Sequence, residues 1–132
     1  MSEKRISQLY IAGGLVNVLG ILLFSKFFSN TYLVLLDVSV FSKQGLLVIM
    51  LWGAAYIAIA EKVKEVPWIS LVFAVEKLFY FVNWSLWMSL HMQRLSEIYS
   101  KDILTGIFFT IYGPNDLLFG LLFFFMFLKY RK

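Results

Sequence analysis

Residues 67–92 read PWISLVFAVEKLFYFVNWSLWMSLHM, a nearly continuous apolar stretch that contains two adjacent charged residues, Glu76 and Lys77. At a rise of ~1.5 Å per residue, a helix of this length exceeds the ~30 Å hydrocarbon core of a bilayer. Pro67 suits the first turn of such a helix, because the N–H that proline lacks would have no partner there. We therefore predict a membrane-spanning helix over 67–92.

The rest of the chain has the same apolar character. Of its 132 residues, 61% are hydrophobic and 15% are charged, and the mean hydropathy is +0.79. Because a spanning helix uses roughly 20 residues, the chain has room for several spans but not for a separate soluble domain. We predict one all-α domain over residues 1–132, an integral membrane four-transmembrane-helix bundle with spans at about 9–25, 45–60, 67–92 and 103–128.

Two segments depart from this regular pattern. Residues 29–44 include an apolar core too short to cross a membrane and interrupted by Asp37, so we expect a short segment on the outer surface, either an interfacial helix or an extended hairpin. In the last span, Gly113-Pro114 predicts a kink. If Pro114 began a new half-helix, Asp116 would lie in its first turn, where a carboxylate complements the free N–H groups.

Lysine and arginine are divided unequally between the two ends of the predicted spans. Seven lie on the side of the chain termini, whereas four lie on the opposite side. Since cytoplasmic loops carry an excess of basic residues, both termini are predicted to be cytoplasmic, in a multi-pass protein of the cell membrane. This bias also accounts for the net charge of +4 without a nucleic-acid partner. The terminal-side residues are Lys4, Arg5, Lys62, Lys64, Lys129, Arg131 and Lys132, and the others are Lys26, Lys43, Arg94 and Lys101.

Three charged residues lie inside the predicted spans: Glu76, Lys77 and Asp116. Such residues cost about 2.5–3.5 kcal/mol each on insertion scales and are candidates for a functional site. The helical rise places Glu76 about 14 Å and Asp116 about 20 Å from the cytoplasmic ends of their helices, with Tyr80 at the level of Asp116. Lys77 can either extend toward the cytoplasmic surface or form a buried ion pair with Asp116, directly or through Tyr80.

Helical spacing indicates which side chains accompany these charges. Glu76, Tyr80, Asn83 and Trp87 follow an i, i+4, i+7, i+11 pattern and share one face of their helix. Asn17, on the first span, lies at about the same depth as Glu76. Apolar walls with a few convergent polar groups are typical of small-ligand sites. The candidate ligand-binding residues are Glu76, Tyr80, Asn83, Asp116, Asn17, Trp52, Trp84 and Trp87.

A pocket of this kind predicts binding of a small amphipathic or lipid-like ligand in contact with membrane lipids. Coupling of this binding to protons or cations would be an elaboration of the pocket, and it would need a homodimer. The alternative is a non-catalytic interaction or scaffold subunit of a membrane complex, in which the polar residues only join helices and the glycine and alanine faces bind a partner membrane protein. A membrane enzyme with Glu76 or Asp116 as its acid–base group is a third alternative, but no nucleophile or cofactor motif accompanies them.

The residues that are rare in this chain also limit its chemistry. It has no cysteine and only one histidine, His91. Disulfides, thiolate nucleophiles, cysteine-ligated metals and multi-histidine metal sites within one chain are therefore excluded. We predict no metal and no cofactor, and we expect His91 to lie at the outer interface.

The last span ends in a phenylalanine-rich stretch. Residues 119, 123–125 and 127 are all phenylalanine. Because phenylalanine is favourable in lipid, we predict that these side chains face the bilayer.

Overall fold

The computed structural model describes all 132 residues, and 85% of them are helical with no strands. Three helical stretches are long and apolar enough to cross a membrane, namely Glu3–Phe24, Pro67–Lys101 and Ile103–Tyr130. The all-helical prediction is confirmed, and these stretches are compatible with a membrane protein. The helices are α1 (Glu3–Phe24), α2 (Thr31–Leu36), α3 (Val38–Phe41), α4 (Lys43–Ile59), α5 (Pro67–His91), α6 (Leu95–Lys101) and α7 (Ile103–Tyr130), with a 3₁₀ turn at Met92–Arg94.

Local polar signals set where the long helices begin. α5 starts at Pro67, which occupies the predicted position in its first turn. α1 begins earlier than its apolar run, because the Ser2 hydroxyl caps it by accepting a hydrogen bond from the Arg5 N–H at 3.3 Å. Ser42 caps α4 in the same way, accepting from the Gly45 N–H at 3.1 Å. Capping thus extends both helices beyond the residues that hydropathy alone selects.

The segment between α1 and α4 forms two short helices, α2 and α3, so the hairpin alternative for residues 29–44 is wrong. Helices satisfy their own backbone hydrogen bonds, whereas a hairpin leaves unpaired edges. The turn before α2 has positive φ angles at Lys26, Phe27 and Phe28. Asn30 stabilises this turn, because its amide donates to the Phe24 carbonyl at 2.9 Å and its side-chain oxygen accepts from the Leu33 N–H at 3.1 Å.

The chain forms two compact units, Met1–Lys62 and Val63–Lys132. In the first unit α1 packs against α4 through Gly14 and Gly53, since a Cβ added to Gly53 would come within 2.7 Å of the Gly14 carbonyl oxygen. Small residues of this kind let two helix backbones approach closely. In the second unit α5 packs against α7, and this pair carries most of the candidate site residues.

α7 is a single helix that continues through Pro114. Asp116 therefore lies within a helix, and its interpretation as the cap of a new half-helix is wrong. Proline in a helix removes one backbone hydrogen bond, whereas a full break would leave several N–H and C=O groups at each new end without partners. In an apolar environment the continuous helix is the less costly solution. A bend at Gly113-Pro114 stays a prediction.

The phenylalanine-rich end of α7 does not face outward as a whole. Phe119, Phe123 and Phe127 are buried, and only Phe124 and Phe125 are exposed. The three buried rings are spaced four residues apart and therefore share one helix face. Hydrophobicity alone could not separate them from their neighbours, because phenylalanine is favourable both in lipid and in a helix interface.

Candidate functional site

The candidate site is built on an antiparallel contact between α5 and α7. The ring centroids of Trp68 and Phe127 are 4.9 Å apart at one end of this contact. At the other end, the centroids of Trp87 and Phe109 are 4.4 Å apart. The start of α5 thus meets the end of α7. This register brings Lys77 opposite Asp116.

Lys77 and Asp116 form a buried ion pair. The Lys77 Nζ donates to the Asp116 Oδ1 at 2.8 Å, and the Asn115 amide approaches the same oxygen at 3.4 Å. The Lys77 side chain keeps 2% of its surface accessible and the Asp116 side chain keeps 10%. Of the two placements considered for Lys77, extension to the cytoplasmic surface is wrong. A charge-assisted hydrogen bond of this kind is about twice as strong as a neutral one.

A groove of about 280 Å³ runs between α5 and α7 beside this ion pair. Asp116 is the only polar side chain that lines it. Gly120 lets α7 approach α5 closely beside the groove, since a Cβ there would lie 3.2 Å from the Lys77 Cβ. The other lining residues are Leu71, Ala74, Val75, Leu78, Leu117, Leu121 and Phe124. Asp116 therefore borders a groove whose lining is otherwise apolar.

Trp84 follows Lys77 on α5 by about two helical turns and packs against Gly113. Any Cβ at Gly113 would collide with the indole ring. The indole Nε1 donates to the Phe109 carbonyl oxygen at 2.7 Å. This contact holds α5 and α7 at a fixed spacing next to the site.

The predicted polar face of α5 is only partly turned toward α7. Glu76 and Trp87 are buried, whereas Tyr80 and Asn83 are half-buried. The Asn83 amide donates to the Tyr112 hydroxyl at 3.4 Å, a long hydrogen bond. Tyr80 interacts electrostatically with both Glu76 and Asp116, so it lies near the two carboxylates. This agrees with the predicted depth of Tyr80, at the level of Asp116.

Trp87 forms an aromatic cluster at the end of α5. Its ring stacks on the His91 ring with centroids 4.7 Å apart, and it also contacts Phe109. The His91 Nδ1 lies 2.9 Å from the Trp87 carbonyl oxygen. These contacts fix the position of His91 within its own helix. No group of three or more histidine, aspartate and glutamate side chains could hold a metal ion.

Asn17 and Trp52 belong to the first unit. The Asn17 amide donates to the Ile49 carbonyl oxygen of α4 at 3.0 Å, so it joins two helices. Trp52 is half-buried on α4. The part of both residues in a ligand pocket stays a prediction.

Sequence reasoning missed three residues that shape the site: Tyr112, Gly113 and Gly120. They precede or follow Asp116 by three or four residues, which places them on its face of α7. Helical spacing counted from Asp116 would have identified them. Expecting a new half-helix at Pro114 hid this relation, because Tyr112 and Gly113 were then assigned to a different segment.

We compared the chain with known protein families, curated proteins and solved structures. No protein-family model matches the chain, and no curated protein or solved structure is significantly similar to it.

Proposed function

We propose that the chain is a membrane protein with four spans and both termini in the cytoplasm, with α4 as the additional span. α4 is apolar and has 17 residues, which is at the lower limit of roughly 17–25 residues for a span. An even number of spans is consistent with the excess of basic residues on the side of both termini. With four spans, each compact unit would contain one pair of membrane-spanning helices.

We further propose that this protein binds a small amphipathic ligand within the membrane, at the Lys77–Asp116 pair. The observation that carries this proposal is a buried ion pair, 2.8 Å long, whose aspartate borders an apolar groove. Two charges inside spanning helices are costly. Helix packing alone does not offset this cost, because an interhelical polar contact in a membrane stabilises the packed state by only about 0.6 kcal/mol on average.

Coupling to a proton or another cation extends this proposal. The middle parts of the proposed spans contain two acids, Glu76 and Asp116, and one base, Lys77. Carboxyl and amine side chains take up and release protons, so this set of groups is suited to proton coupling.

Native mass spectrometry of the protein released from lipid nanodiscs tests this proposal, since it reports subunit number and retained small molecules together. We expect the wild type to carry a defined additional mass. The double variant Lys77→Met, Asp116→Leu, which removes both charges, should lose this mass while keeping its helix content. Retention of the same mass by the double variant would refute the binding site.

One observation favours the alternative function, an interaction subunit, at one position. Asn17 already bonds a backbone carbonyl of the neighbouring helix, as expected of a polar residue that joins helices. A higher assembly without a specific bound mass in the same spectrum would support this alternative for the whole protein.

A further inference from the structure

We propose that the start of α5 and the end of α7 together bind the head group of an anionic phospholipid. Three basic side chains form this site, and we call them the basic cluster: Lys64, Lys129 and Arg131. The lipid phosphate accepts hydrogen bonds from the cluster, and the acyl chains lie on the apolar surface of α7 beside it. This inference concerns a second place on the molecule and does not depend on a ligand at the Lys77–Asp116 pair.

Aromatic rings gather the basic cluster from two separate parts of the chain. The Lys64 Nζ lies 5.6 Å and the Lys129 Nζ lies 5.3 Å from the centroid of the Tyr130 ring. The Arg131 Cζ lies 5.6 Å from the centroid of the Phe127 ring. All three distances are within the roughly 6 Å range of cation–π interactions. Because Lys64 precedes α5, its position over a ring of α7 is a tertiary contact.

This end of the α5–α7 pair has an excess of positive charge. Residues 63–68 and 127–132 together contain four basic side chains and one acidic side chain, Glu65. All three members of the basic cluster are exposed. Like charges held close together repel one another, so a neighbouring anion stabilises the arrangement. Charge complementarity therefore favours an anionic partner.

The basic cluster lies where the apolar parts of both helices end. Trp68, in the first turn of α5, is 63% exposed, and the centroid of its ring is 4.9 Å from that of Phe127. Tryptophan and tyrosine are enriched at the level of the lipid head groups. In the proposed orientation this level belongs to the cytoplasmic leaflet, which carries anionic lipids. The depth of the cluster therefore favours a phospholipid over a soluble anion.

The neighbouring surface of α7 can receive the acyl chains. Phe124, Phe125 and Leu128 are all exposed and lie within about two helical turns of Arg131. The planar guanidinium group of arginine matches two oxygens of a phosphate, and the lysines supply further charge. An anionic phospholipid thus complements both the basic cluster and the apolar surface beside it.

The positive-inside bias accounts for these charges but not for their arrangement. An excess of basic residues on one side of the membrane orients the spanning helices through the number of charges. It does not require Lys64 and Lys129 to share the ring of Tyr130. Substitution of Tyr130 therefore separates the two explanations, because it preserves every charge.

Lipid titration of the delipidated full chain in detergent, measured by native mass spectrometry, tests this inference. Phosphatidylglycerol is anionic and phosphatidylcholine has no net charge. Phosphatidylglycerol should bind at least about tenfold more tightly, since each basic group adds roughly a fivefold preference for anionic lipid. An equal concentration of glycerol 3-phosphate should not displace the bound lipid.

Three variants locate the lipid on the molecule. The double variant Lys64→Gln, Arg131→Gln should reduce the preference for phosphatidylglycerol at least about fivefold. Tyr130→Leu keeps every charge but removes the shared ring, and it should reduce the preference about twofold. The matched control is Lys43→Gln, Arg94→Gln, which also removes one exposed lysine and one exposed arginine, both outside the basic cluster. This control should bind both lipids like the wild type.

Equal affinity of the wild type for the two lipids overturns the inference, and so does an equal loss of preference in the control variant. Displacement by glycerol 3-phosphate would assign the basic cluster to a soluble anion and also overturn it. An unchanged preference in Tyr130→Leu would mean that the charges act without the gathered arrangement, which contradicts the proposed site. The variant Lys77→Met, Asp116→Leu should keep the full lipid preference, so failure of this inference is distinguishable from failure of the proposed function.

Discussion

At the scale of single residues, Lys77 and Asp116 raise the question of why two charges lie inside apolar helices. Each costs about 2.5–3.5 kcal/mol on insertion scales. Replacing a buried ion pair by apolar residues of similar size is often neutral or stabilising in proteins. Two leucines would therefore pack the two helices together equally well, and the presence of the ion pair argues for a role in binding.

The first prediction concerns the stability of this pair. Asp116→Asn should weaken helix packing by about 1–2 kcal/mol, because it leaves the Lys77 ammonium buried with a neutral partner. The cost is moderate because an unpaired lysine in the unfolded but inserted state also finds partners. The double variant Lys77→Met, Asp116→Leu should unfold at nearly the wild-type detergent concentration. Unfolding in mixed micelles with dodecyl sulfate measures both, and a double variant less stable than the single one would show that the pair is needed for the fold.

Asn17 allows a second prediction, which separates helix joining from ligand binding. Asn17→Ala removes the hydrogen bond to the Ile49 carbonyl and should reduce stability by about 0.6 kcal/mol, the average for such contacts in membranes. The mass retained in native spectra should not change. Loss of that mass in the folded variant would instead assign Asn17 to the ligand site, as its predicted depth suggested.

At the scale of helical elements, the contact between Trp84 and Gly113 sets the approach of α5 to α7. Gly113→Ala should destabilise the second unit, because the added Cβ collides with the indole ring and displaces its hydrogen bond to Phe109. Overpacking of this kind typically costs about 1–3 kcal/mol.

Gly20→Ala is the control for this third prediction. A Cβ at Gly20 meets nothing within 4 Å, and alanine is the better helix former by up to about 1 kcal/mol. Gly20→Ala should therefore be neutral or stabilising under the same unfolding conditions. Equal effects of the two substitutions would mean that the Trp84 contact does not limit helix spacing.

Much of the helix inventory could be predicted from the sequence. Hydropathy and length identify α1, α5 and α7, and Pro67 marks the first turn of α5 because the chemistry of proline is local. The ion pair was one of two predicted placements for Lys77, since ionisable residues at similar depth tend to meet. Each of these features depends on information within one helix or on depth along it.

The packing between helices could not be predicted in the same way. Which faces of α5 and α7 meet depends on shape, as when the ring of Trp84 fits against Gly113, and hydropathy does not report shape. The same limit explains why Phe123 and Phe124, adjacent and identical, differ in burial. Pro114 misled the interpretation of Asp116, because a local helix breaker was outweighed by the cost of free backbone groups in an apolar environment.

At the scale of the whole molecule, the number of spans decides where the two termini lie. α4 is about 26 Å long at the helical rise, a few ångströms short of the ~30 Å hydrocarbon core. Modest bilayer thinning or extension of flanking side chains accommodates such a mismatch. With α4 inserted the termini share one side, whereas with only three spans they would lie on opposite sides.

The fourth prediction uses cysteine labelling, for which this chain provides a cysteine-free background. Glu3→Cys and Arg131→Cys should react with an impermeant maleimide only after the membrane is opened. Ser96 is an exposed residue of α6, so Ser96→Cys should react in intact cells and serves as the positive control. Labelling of only one terminus in intact cells would indicate three spans, and labelling of both would reverse the orientation.

Carbodiimide crosslinking tests the central claim most directly, namely that a lysine and an aspartate form an ion pair beside an apolar groove. Dicyclohexylcarbodiimide is apolar and activates a carboxyl group; attack by a neighbouring amine then gives an amide and releases the urea, with a net loss of one water. In nanodiscs, we predict a peptide that joins Lys77 to Asp116. A water-soluble carbodiimide should instead join the exposed pair Glu97 and Lys101, whose charged atoms are 2.8 Å apart. Absence of the Lys77–Asp116 product with the apolar reagent, or its equal formation with the water-soluble one, would contradict the account.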